Sequence, residues 1–392
     1  MAQVTAGRDG AMAGDGRCDR ERFAARARRD NLALSLRAPG WTTAMIDKDK
    51  STIESRMAAL DDARLAAAAE PALEADLPII DPHHHLWDFP SHRYLLDELL
   101  ADTGSGHNIE QSVFIECAVF YRPDVGKPMR VVGEVEFANG VAAMAASGRY
   151  GPTKVAAGIV GTADLTIGAQ VEEVLTAQVN AGAGRFKGIR HAAAWEDKTR
   201  EIHNSHSNPP QHLYRDHRAF REGFAKLGEL GLSFDAWVYH TQLADLVDLA
   251  RSFPDQPIVL NHVGGPMGLG WYASRKAQEF EAWRAAIVEL AGCDNVTIKL
   301  GGLGMKLCGF GFESRATAPS SDELADAWRP FIETCIEAYG AKRCMFESNF
   351  PVDKISGGYS NYWNAFKKLA SGASKDEKAA LFKETAKVFY RL

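Results

Sequence analysis

Residues 78–88 read PIIDPHHHLWD, a short apolar run that leads directly into a cluster of three histidines. The isoleucine pair favours a buried β-strand, because β-branched side chains pack well on a pleated sheet. Side chains at i and i+2 of a strand point to the same face, so His83 and His85 are predicted to lie side by side. Two such imidazoles form half of a tetrahedral metal site. The alternative, a solvated histidine-rich loop, is disfavoured by the isoleucines and by Trp87.

Length and composition set the class of protein. The chain has 392 residues, of which 46% are hydrophobic, so a single α/β barrel of roughly 250 residues or more would absorb most of it. A net charge of −6 gives no electrostatic footprint for nucleic acid. No run of about 18 apolar residues is present, so no membrane span is expected. The six cysteines show no paired spacing, which predicts a reducing, cytoplasmic setting.

Three regions differ in pattern along the chain. Residues 1–50 are rich in Ala, Gly and Arg and lack an apolar signal core, so we expect a flexible extension, with a targeting or basic arm as the alternative. Residues 51–75 carry a predicted helix over 51–70, since apolar side chains recur there at near-helical spacing. Residues 76–392 are expected to form the folded domain.

Apolar runs alternate with helical stretches throughout residues 76–392. Strands are predicted directly after Pro78 and then over 112–119, 154–160, 186–191, 232–239, 258–263, 296–300 and 344–350. Eight strands separated by helices favour an α/β fold of the (β/α)8 TIM barrel type over a doubly wound sheet. An N-terminal extension would precede the barrel.

Barrel active sites lie at the C-terminal ends of the strands, so polar residues at those ends are the candidates for chemistry. The polar residues that end the predicted strands are His83, His85, Glu116, Arg190, His191, Tyr239, His240, Asn261, His262, Lys299, Glu347 and Asn349.

Two of these segments resemble a known family. Asp81, His83, His85 and Trp87 are similar to the first-strand signature of the amidohydrolase superfamily, and more narrowly of its lactonase-like amidohydrolase family 2 branch. His262, within NHVGGP at 261–266, resembles the sixth-strand histidine motif of that branch. The branch contains sugar-acid lactonases, pyrone-dicarboxylate and muconolactone-type hydrolases and related decarboxylases.

The resemblance implies a site with one divalent ion. His83, His85 and His262 would be its ligands, and zinc is the preferred candidate. A metal-free mechanism, in which the same histidines hydrogen-bond the carbonyl and the developing oxyanion, is the alternative. The resemblance also places the long connection over 192–217 on the catalytic face, where we expect a substrate lid rather than a solvated insertion.

One position departs from the family pattern. The family usually has an aspartate where this chain has Asn349, within ESNFPVD at 347–353. An amide cannot accept a proton at neutral pH and binds metal less well than a carboxylate. Either the site is inactive, or another group is the base, or the reaction depends on polarisation and positioning. The candidate replacement bases are Glu347, Asp353, Glu116 and His262.

Four residues are predicted to contact the substrate. Arg190 is the expected anchor for a carboxylate, because a guanidinium pairs with it through two hydrogen bonds. Lys299 would add a second positive group, and His191 and Trp87 would complete the wall. For both cations the alternative is an internal ion pair with Glu116 or Glu347.

These features predict a hydrolase that acts on a small carboxylated ester-like molecule, a lactone, through attack of water on a carbonyl. Non-oxidative decarboxylation of an aromatic acid is the second hypothesis. A catalytically inactive binding or scaffold barrel is the third, which Asn349 supports and the retained histidines oppose. The expected partner is a small-molecule substrate rather than nucleic acid or a membrane, with assembly into a homo-oligomer left open.

Overall fold

A computed structural model describes residues 60–89 and 92–392 of the chain. In this part, eight parallel strands form one sheet in which each strand pairs with the next along the chain. The strands are β1 Ile79–His84, β2 Ile109–Ile115, β3 Lys154–Gly161, β4 Phe186–Arg190, β5 Ser233–Ala236, β6 Ile258–Leu260, β7 Val296–Leu300 and β8 Cys344–Phe346. A parallel bridge between His84 and Phe350 joins β1 to the segment after β8, which nearly closes the barrel. The predicted (β/α)8 barrel is therefore confirmed.

Helices fill the connections between strands. They are α1 Asp62–Ala67, α2 Leu96–Thr103, α3 Val132–Ala146, α4 Val171–Gly182, α5 Leu213–Asp216, α6 Arg218–Glu229, α7 Leu243–Ser252, α8 Lys276–Ala291, α9 Ser321–Tyr339, α10 Tyr359–Leu369, α11 Lys375–Ala379 and α12 Thr385–Tyr390. A short π-helix over Ala380–Glu384 joins α11 to α12. Local sequence explains individual boundaries: α9 begins with a reciprocal capping box between Ser320 and Glu323.

Residues 1–59 lie outside the described residues, and with them the predicted flexible extension and the first part of the predicted helix over 51–70. Within the described part of that segment, α1 covers six residues and is capped by the side chain of Asp61. Among the described helices, none combines the length and the apolar character needed to cross a membrane.

Among the apolar clusters of the described residues, two pack the barrel itself. The interior cluster consists of Ile80, Val113, Ile115, Val160, Val259, Met345, Ala386 and Tyr390. A larger cluster fills the space between the outer faces of the strands and the helices. Because α12 contributes Ala386 and Tyr390 to the interior, the barrel is a packed core rather than a pore. A ligand is therefore expected at the strand ends, not inside the barrel.

Candidate active site

Three histidines meet at the carboxyl ends of the strands. Nε2 of His83, in β1, lies 3.2 Å from Nε2 of His85, which directly follows the strand, as their i, i+2 spacing predicted. The rings of His83 and His262 have centroids 4.5 Å apart. All three side chains are buried. The first and sixth strands therefore bring their histidines together.

Glu347 fixes the orientation of His262. One oxygen of Glu347, Oε1, accepts hydrogen bonds from Nδ1 of His262 at 2.7 Å and from its backbone N–H at 3.1 Å. A carboxylate partner of this kind sets the tautomer, so Nδ1 carries the proton and Nε2 keeps its lone pair. Glu347 thus lies behind the imidazole.

The backbone at His262 is held in an uncommon conformation. His262 has φ 56° and the following Val263 has φ 46°. Positive φ is a genuine outlier for a β-branched residue and persists only where the surroundings enforce it. Trp283 provides part of that support, since its indole N–H donates to the carbonyl of Val263 at 2.7 Å. The turn places His262 at the site rather than in the barrel wall.

The other two histidines are held by different partners. Nδ1 of His85 donates to the carbonyl of Ile115 at 2.8 Å, which leaves its Nε2 as an acceptor. Nδ1 of His83 lies 2.8 Å from Oε2 of Glu347 and 3.1 Å from Nζ of Lys299. Burial lowers the pKa of all three imidazoles, and neighbouring cations add to the effect. The site therefore presents neutral imidazoles at neutral pH.

The two predicted anchor cations are engaged inside the protein. Arg190 donates from Nε to Oε1 of Glu116 and from Nη2 to the Glu116 carbonyl, both at 2.6 Å. Its Nη1 lies 3.4 Å from Nε2 of His83. The internal ion pair considered from the sequence is therefore the arrangement that Arg190 adopts. Only Nη1 remains directed toward the histidines.

Lys299 is buried more deeply than Arg190 and has no contact with the cavity. Its ammonium group contacts Oδ2 of Asp235 at 2.8 Å, the carbonyl of Pro82 at 2.9 Å and Nδ1 of His83. The side chain is fully buried and does not line the cavity described below. Its carboxylate partner is Asp235, not the Glu116 or Glu347 considered as the alternative from the sequence. Lys299 therefore supports His83 and does not contact substrate in this arrangement.

His191 and Trp87 also lie behind the cavity wall. Nδ1 of His191 accepts from the backbone N–H of Leu165 at 3.2 Å. Trp87 is fully buried, stacks on His85 with ring centroids 5.8 Å apart, and donates from Nε1 to Nδ1 of His92 at 3.2 Å. Both residues pack beside the site, and neither lines the cavity described below.

Asn349 and Asp353 form a buried pair. Nδ2 of Asn349 donates to Oδ1 of Asp353 at 2.8 Å, and the backbone N–H of Gly304 donates to Oδ2 at 2.9 Å. Asn349 has φ 55°, a conformation that Asn tolerates better than most residues. Burial raises the pKa of Asp353 well above its ordinary value. Asp353 does not line the cavity, which argues against direct proton transfer between it and a substrate.

Glu116, the remaining candidate base, is paired with Arg190. Its second oxygen, Oε2, finds no hydrogen-bond partner among the described residues. Glu134 lies close enough to interact with it, and burial followed by this repulsion raises the pKa of Glu134 to about 8. Arg190 is thus the cation that pairs with Glu116, and its charge partly offsets the rise in the pKa of Glu134.

A cavity of about 330 Å³ opens above the histidines. Its lining residues are His85, Arg190, Glu201, Ile202, His203, Trp237, Tyr239, His262, Met305, Lys306, Leu307, Asn349, Val352 and Ile355. The connection over 192–217 contributes three of them, and its role as a lid stays a prediction. The loop after β7 contributes three more, none of which carried a signal in the sequence. The volume suits a small cyclic molecule.

A sequence model of the Amidohydrolase family matches residues 80–392. The chain therefore belongs to the amidohydrolase family, as the strand-end histidines predicted. The uncharacterized protein y4mH of Sinorhizobium fredii is 33% identical over 351 residues, which cover 81% of this chain and all of that protein.

This chain also resembles a named enzyme and two solved structures. The L-fucono-1,5-lactonase of Burkholderia ambifaria is 30% identical over 165 residues, 41% of this chain and 50% of the lactonase. An amidohydrolase from Burkholderia multivorans, solved with bound HEPES, superposes with a TM-score of 0.62 at 22% identity, covering 80% of this chain and 99% of that chain. A second structure of a B. multivorans amidohydrolase, with bound zinc, gives a TM-score of 0.61. These structures show that the fold is shared.

The residues at the site fit a divalent ion. Ligand atoms of His83, His262 and Glu347 all lie within 4.8 Å of one another. Oε2 of Glu347 lies 2.8 Å from Nδ1 of His83 and makes no hydrogen bond of acceptable geometry among the described residues. Two tetrahedral zinc ligands at ordinary bond lengths are roughly 3.3 Å apart, close to the separation of the His83 and His85 Nε2 atoms. Neutral imidazoles and a carboxylate are donors that zinc prefers. The nearby Arg190 and Lys299 would weaken binding.

Metal content provides a direct test of this fit. We expect about one zinc per chain in the purified protein, falling below about a tenth in His83→Ala and His85→Ala, because each substitution removes an imidazole donor. His84→Ala is the matched control, since His84 is a buried histidine of the same strand whose ring lies 6.0 Å from Phe114. Inductively coupled plasma mass spectrometry measures the result. Equal zinc in all three variants, or none in the wild type, would contradict the assignment.

Proposed function

We propose that this protein hydrolyses a small carboxylated ester-like substrate, a lactone, in the cavity above the histidines. The observation that carries the proposal is the pair of His262 and Glu347, in which Nδ1 of the imidazole is bonded to the carboxylate and the ring lines the cavity. An imidazole oriented in this way is suited to general-base chemistry. The family and the partial likeness to named lactonases support the same reaction class.

The chemical step uses residues already in place. Water gives one proton to Nε2 of His262 while its oxygen bonds to the lactone carbonyl carbon. Glu347 stabilises the imidazolium that forms, through the bond to Nδ1. The ring C–O bond then breaks, and the proton passes from His262 to the departing alkoxide. Nη1 of Arg190, which faces the same histidines, supplies positive potential where the oxyanion develops. A divalent ion held by His83 and His85 would add Lewis-acid polarisation of the carbonyl, while Nε2 of His262, predicted from the sequence as a third ligand, stays free to take the proton.

The mouth of the cavity offers a contact for a carboxylate. Arg190 and Lys299 are engaged within the protein, whereas Lys306 lines the cavity and is exposed. It makes no ion pair within the described residues, although its charge adds to the hydrogen bond from Thr199 in lowering the pKa of Glu201, which lines the same cavity. Trp237 lines the same cavity and presents an aromatic face to a ring. Lys306 therefore takes the anchoring role that the sequence predicted for Arg190.

Substitution of Lys306 tests the carboxylate contact. Lys306→Met is expected to raise KM about tenfold for a carboxylated muconolactone-type substrate and to leave KM for the uncharged L-fucono-1,5-lactone within about twofold, since only the former loses a charge-assisted hydrogen bond. Initial rates from a pH-indicator assay give both constants. Arg315→Met, at an exposed arginine outside the cavity lining, is the charge-matched control. An equal rise in KM for both lactones would contradict the anchor.

The proposal itself is tested on a substrate panel. The wild-type protein is incubated with aldonolactones, carboxylated lactones, aryl esters and hydroxylated aromatic acids, and both acid release and CO₂ release are followed. Acid release from at least one lactone is the expected result. Release of CO₂ from an aromatic acid would favour the decarboxylase hypothesis, and inertness toward the whole panel would favour an inactive scaffold.

A further inference from the structure

We infer that Asp353 is a positioning residue that holds the Asn349 amide with its carbonyl oxygen toward the cavity, where that oxygen accepts a hydrogen bond from the attacking water. The inference rests on the proposed hydrolysis. Asn349, which departs from the family pattern, and Asp353, a candidate base from the sequence, are thereby given separate tasks.

The buried pair is fixed from several sides. Beyond the two carboxyl bonds already described, the backbone N–H of Asp353 donates to the carbonyl of Asn349 at 3.1 Å. The hydroxyl of Tyr362 donates to the backbone carbonyl of Asp353 at 2.9 Å. Gly304 can approach the carboxyl group only because it lacks a side chain, since a Cβ there would lie 1.8 Å from the Tyr362 hydroxyl oxygen. Asp353 thus has little freedom to move away from Asn349.

This arrangement determines which amide atom is free. Because Nδ2 of Asn349 faces Asp353, the planar amide directs Oδ1 elsewhere. Oδ1 is buried and has no hydrogen-bond partner among the described residues, although Asn349 lines the cavity. An unsatisfied buried acceptor costs about 1–3 kcal/mol, so such atoms are normally used by a bound group. The cavity is the place from which a donor can reach it.

The attacking water is the donor that the chemistry requires. A water molecule has two O–H groups, and only one proton passes to Nε2 of His262. The other O–H needs an acceptor that does not take the proton, and an amide oxygen is such an acceptor. Two tasks that the family's usual aspartate would combine are then divided between two residues. His262 takes the proton of the water, and Asn349 orients the water molecule.

Asp353→Asn tests the positioning role with a nearly isosteric change. The N–H of Gly304 is a fixed donor, so the introduced amide turns its oxygen toward Gly304 and its NH₂ toward Asn349. The Asn349 amide must then turn over and present NH₂ to the cavity. We expect kcat for the best lactone of the panel to fall about a hundredfold, with KM within about threefold, as for a misplaced reacting group. Asp102→Asn, at a half-buried aspartate bonded to Tyr94 and Lys354, is the control.

Exchanging the two residues separates positioning from stability. In Asn349→Asp/Asp353→Asn, the new carboxylate at 349 accepts from the new amide at 353, and its second oxygen faces the cavity. We expect kcat to recover at least tenfold over the single variant. A purely structural role for Asp353 predicts no recovery, and that outcome would overturn the inference.

A second readout does not depend on turnover. The side-chain amide protons of Asn349, identified in ¹⁵N NMR spectra by their loss in Asn349→Asp, should exchange with solvent much more slowly than those of exposed asparagines. Protection should fall in Asp353→Asn. If no lactone is hydrolysed but the protection is observed, the proposed function fails while the amide orientation stands. Rapid exchange in the wild type would overturn the orientation itself.

Discussion

Replacing His262 by asparagine is expected to lower kcat/KM for lactone hydrolysis about a thousandfold, within the range for loss of a general base. Asparagine retains a donor for Oε1 of Glu347, so the carboxylate keeps its partner at the position where Nδ1 now lies at 2.7 Å. What disappears is Nε2, the atom that takes the proton of water. The loss should therefore appear in kcat, with KM within a fewfold and a normal thermal unfolding midpoint.

A second histidine–glutamate pair in the same chain provides the control. His240 and Glu279 are paired, with Nε2 and Oε2 3.1 Å apart, on the wall of a separate apolar cavity. His240→Asn should keep kcat/KM near the wild-type value. Glu347→Gln should lose about ten- to a hundredfold, since orienting partners contribute less than the group they orient. If His262→Asn retained more than a tenth of the activity, another group would be the base.

Replacing Arg190 by methionine is expected to lower the free energy of unfolding by about 3–5 kcal/mol, the usual effect of removing one partner from a buried ion pair. Glu116 would be left buried without its 2.6 Å partner, close to Glu134, whose pKa burial already raises to about 8. Urea denaturation followed by circular dichroism measures the change. The loss of fold stability should accompany any loss of activity.

A double substitution identifies the cause of that loss. Arg190→Met/Glu116→Leu removes both charges, and it should unfold at higher urea concentration than Arg190→Met alone. Arg122→Met, which breaks an exposed pair with Glu136, should have a much smaller effect than Arg190→Met. If Arg190→Met were as stable as the wild type and raised only KM for carboxylated lactones, Arg190 would be the substrate anchor after all.

Much of the fold was predictable because it depends on local pattern. The i, i+2 spacing of His83 and His85 determines a shared face wherever the segment is a strand. The alternation of buried runs with amphipathic stretches determines a parallel barrel. Four predicted strands, 112–119, 232–239, 258–263 and 344–350, nevertheless ran at least three residues too far. The last two end at Leu260 and Phe346, because His262 and Asn349 adopt positive φ and leave the extended backbone.

The pairing of charges was less predictable, since partners lie far apart in the sequence. Arg190 and Lys299 were identified as cations at strand ends. Nothing in the sequence around them shows that Arg190 pairs with Glu116 and Lys299 with Asp235. Asp235, a charged residue within the buried run of β5, was the available signal that a buried cation would be needed. Lys306 gave no signal at all, because it lies in a loop whose path no periodicity determines.

The isotopic composition of the product tests the central claim most directly. The wild-type protein and His262→Asn are incubated with the best lactone of the panel in water enriched in ¹⁸O, and the acid product is analysed by mass spectrometry. Attack of water on the carbonyl predicts one ¹⁸O in the product of the wild type and product at about a thousandth of that rate with His262→Asn. A product without ¹⁸O, or equal rates for the two proteins, would contradict hydrolysis by water activated at His262.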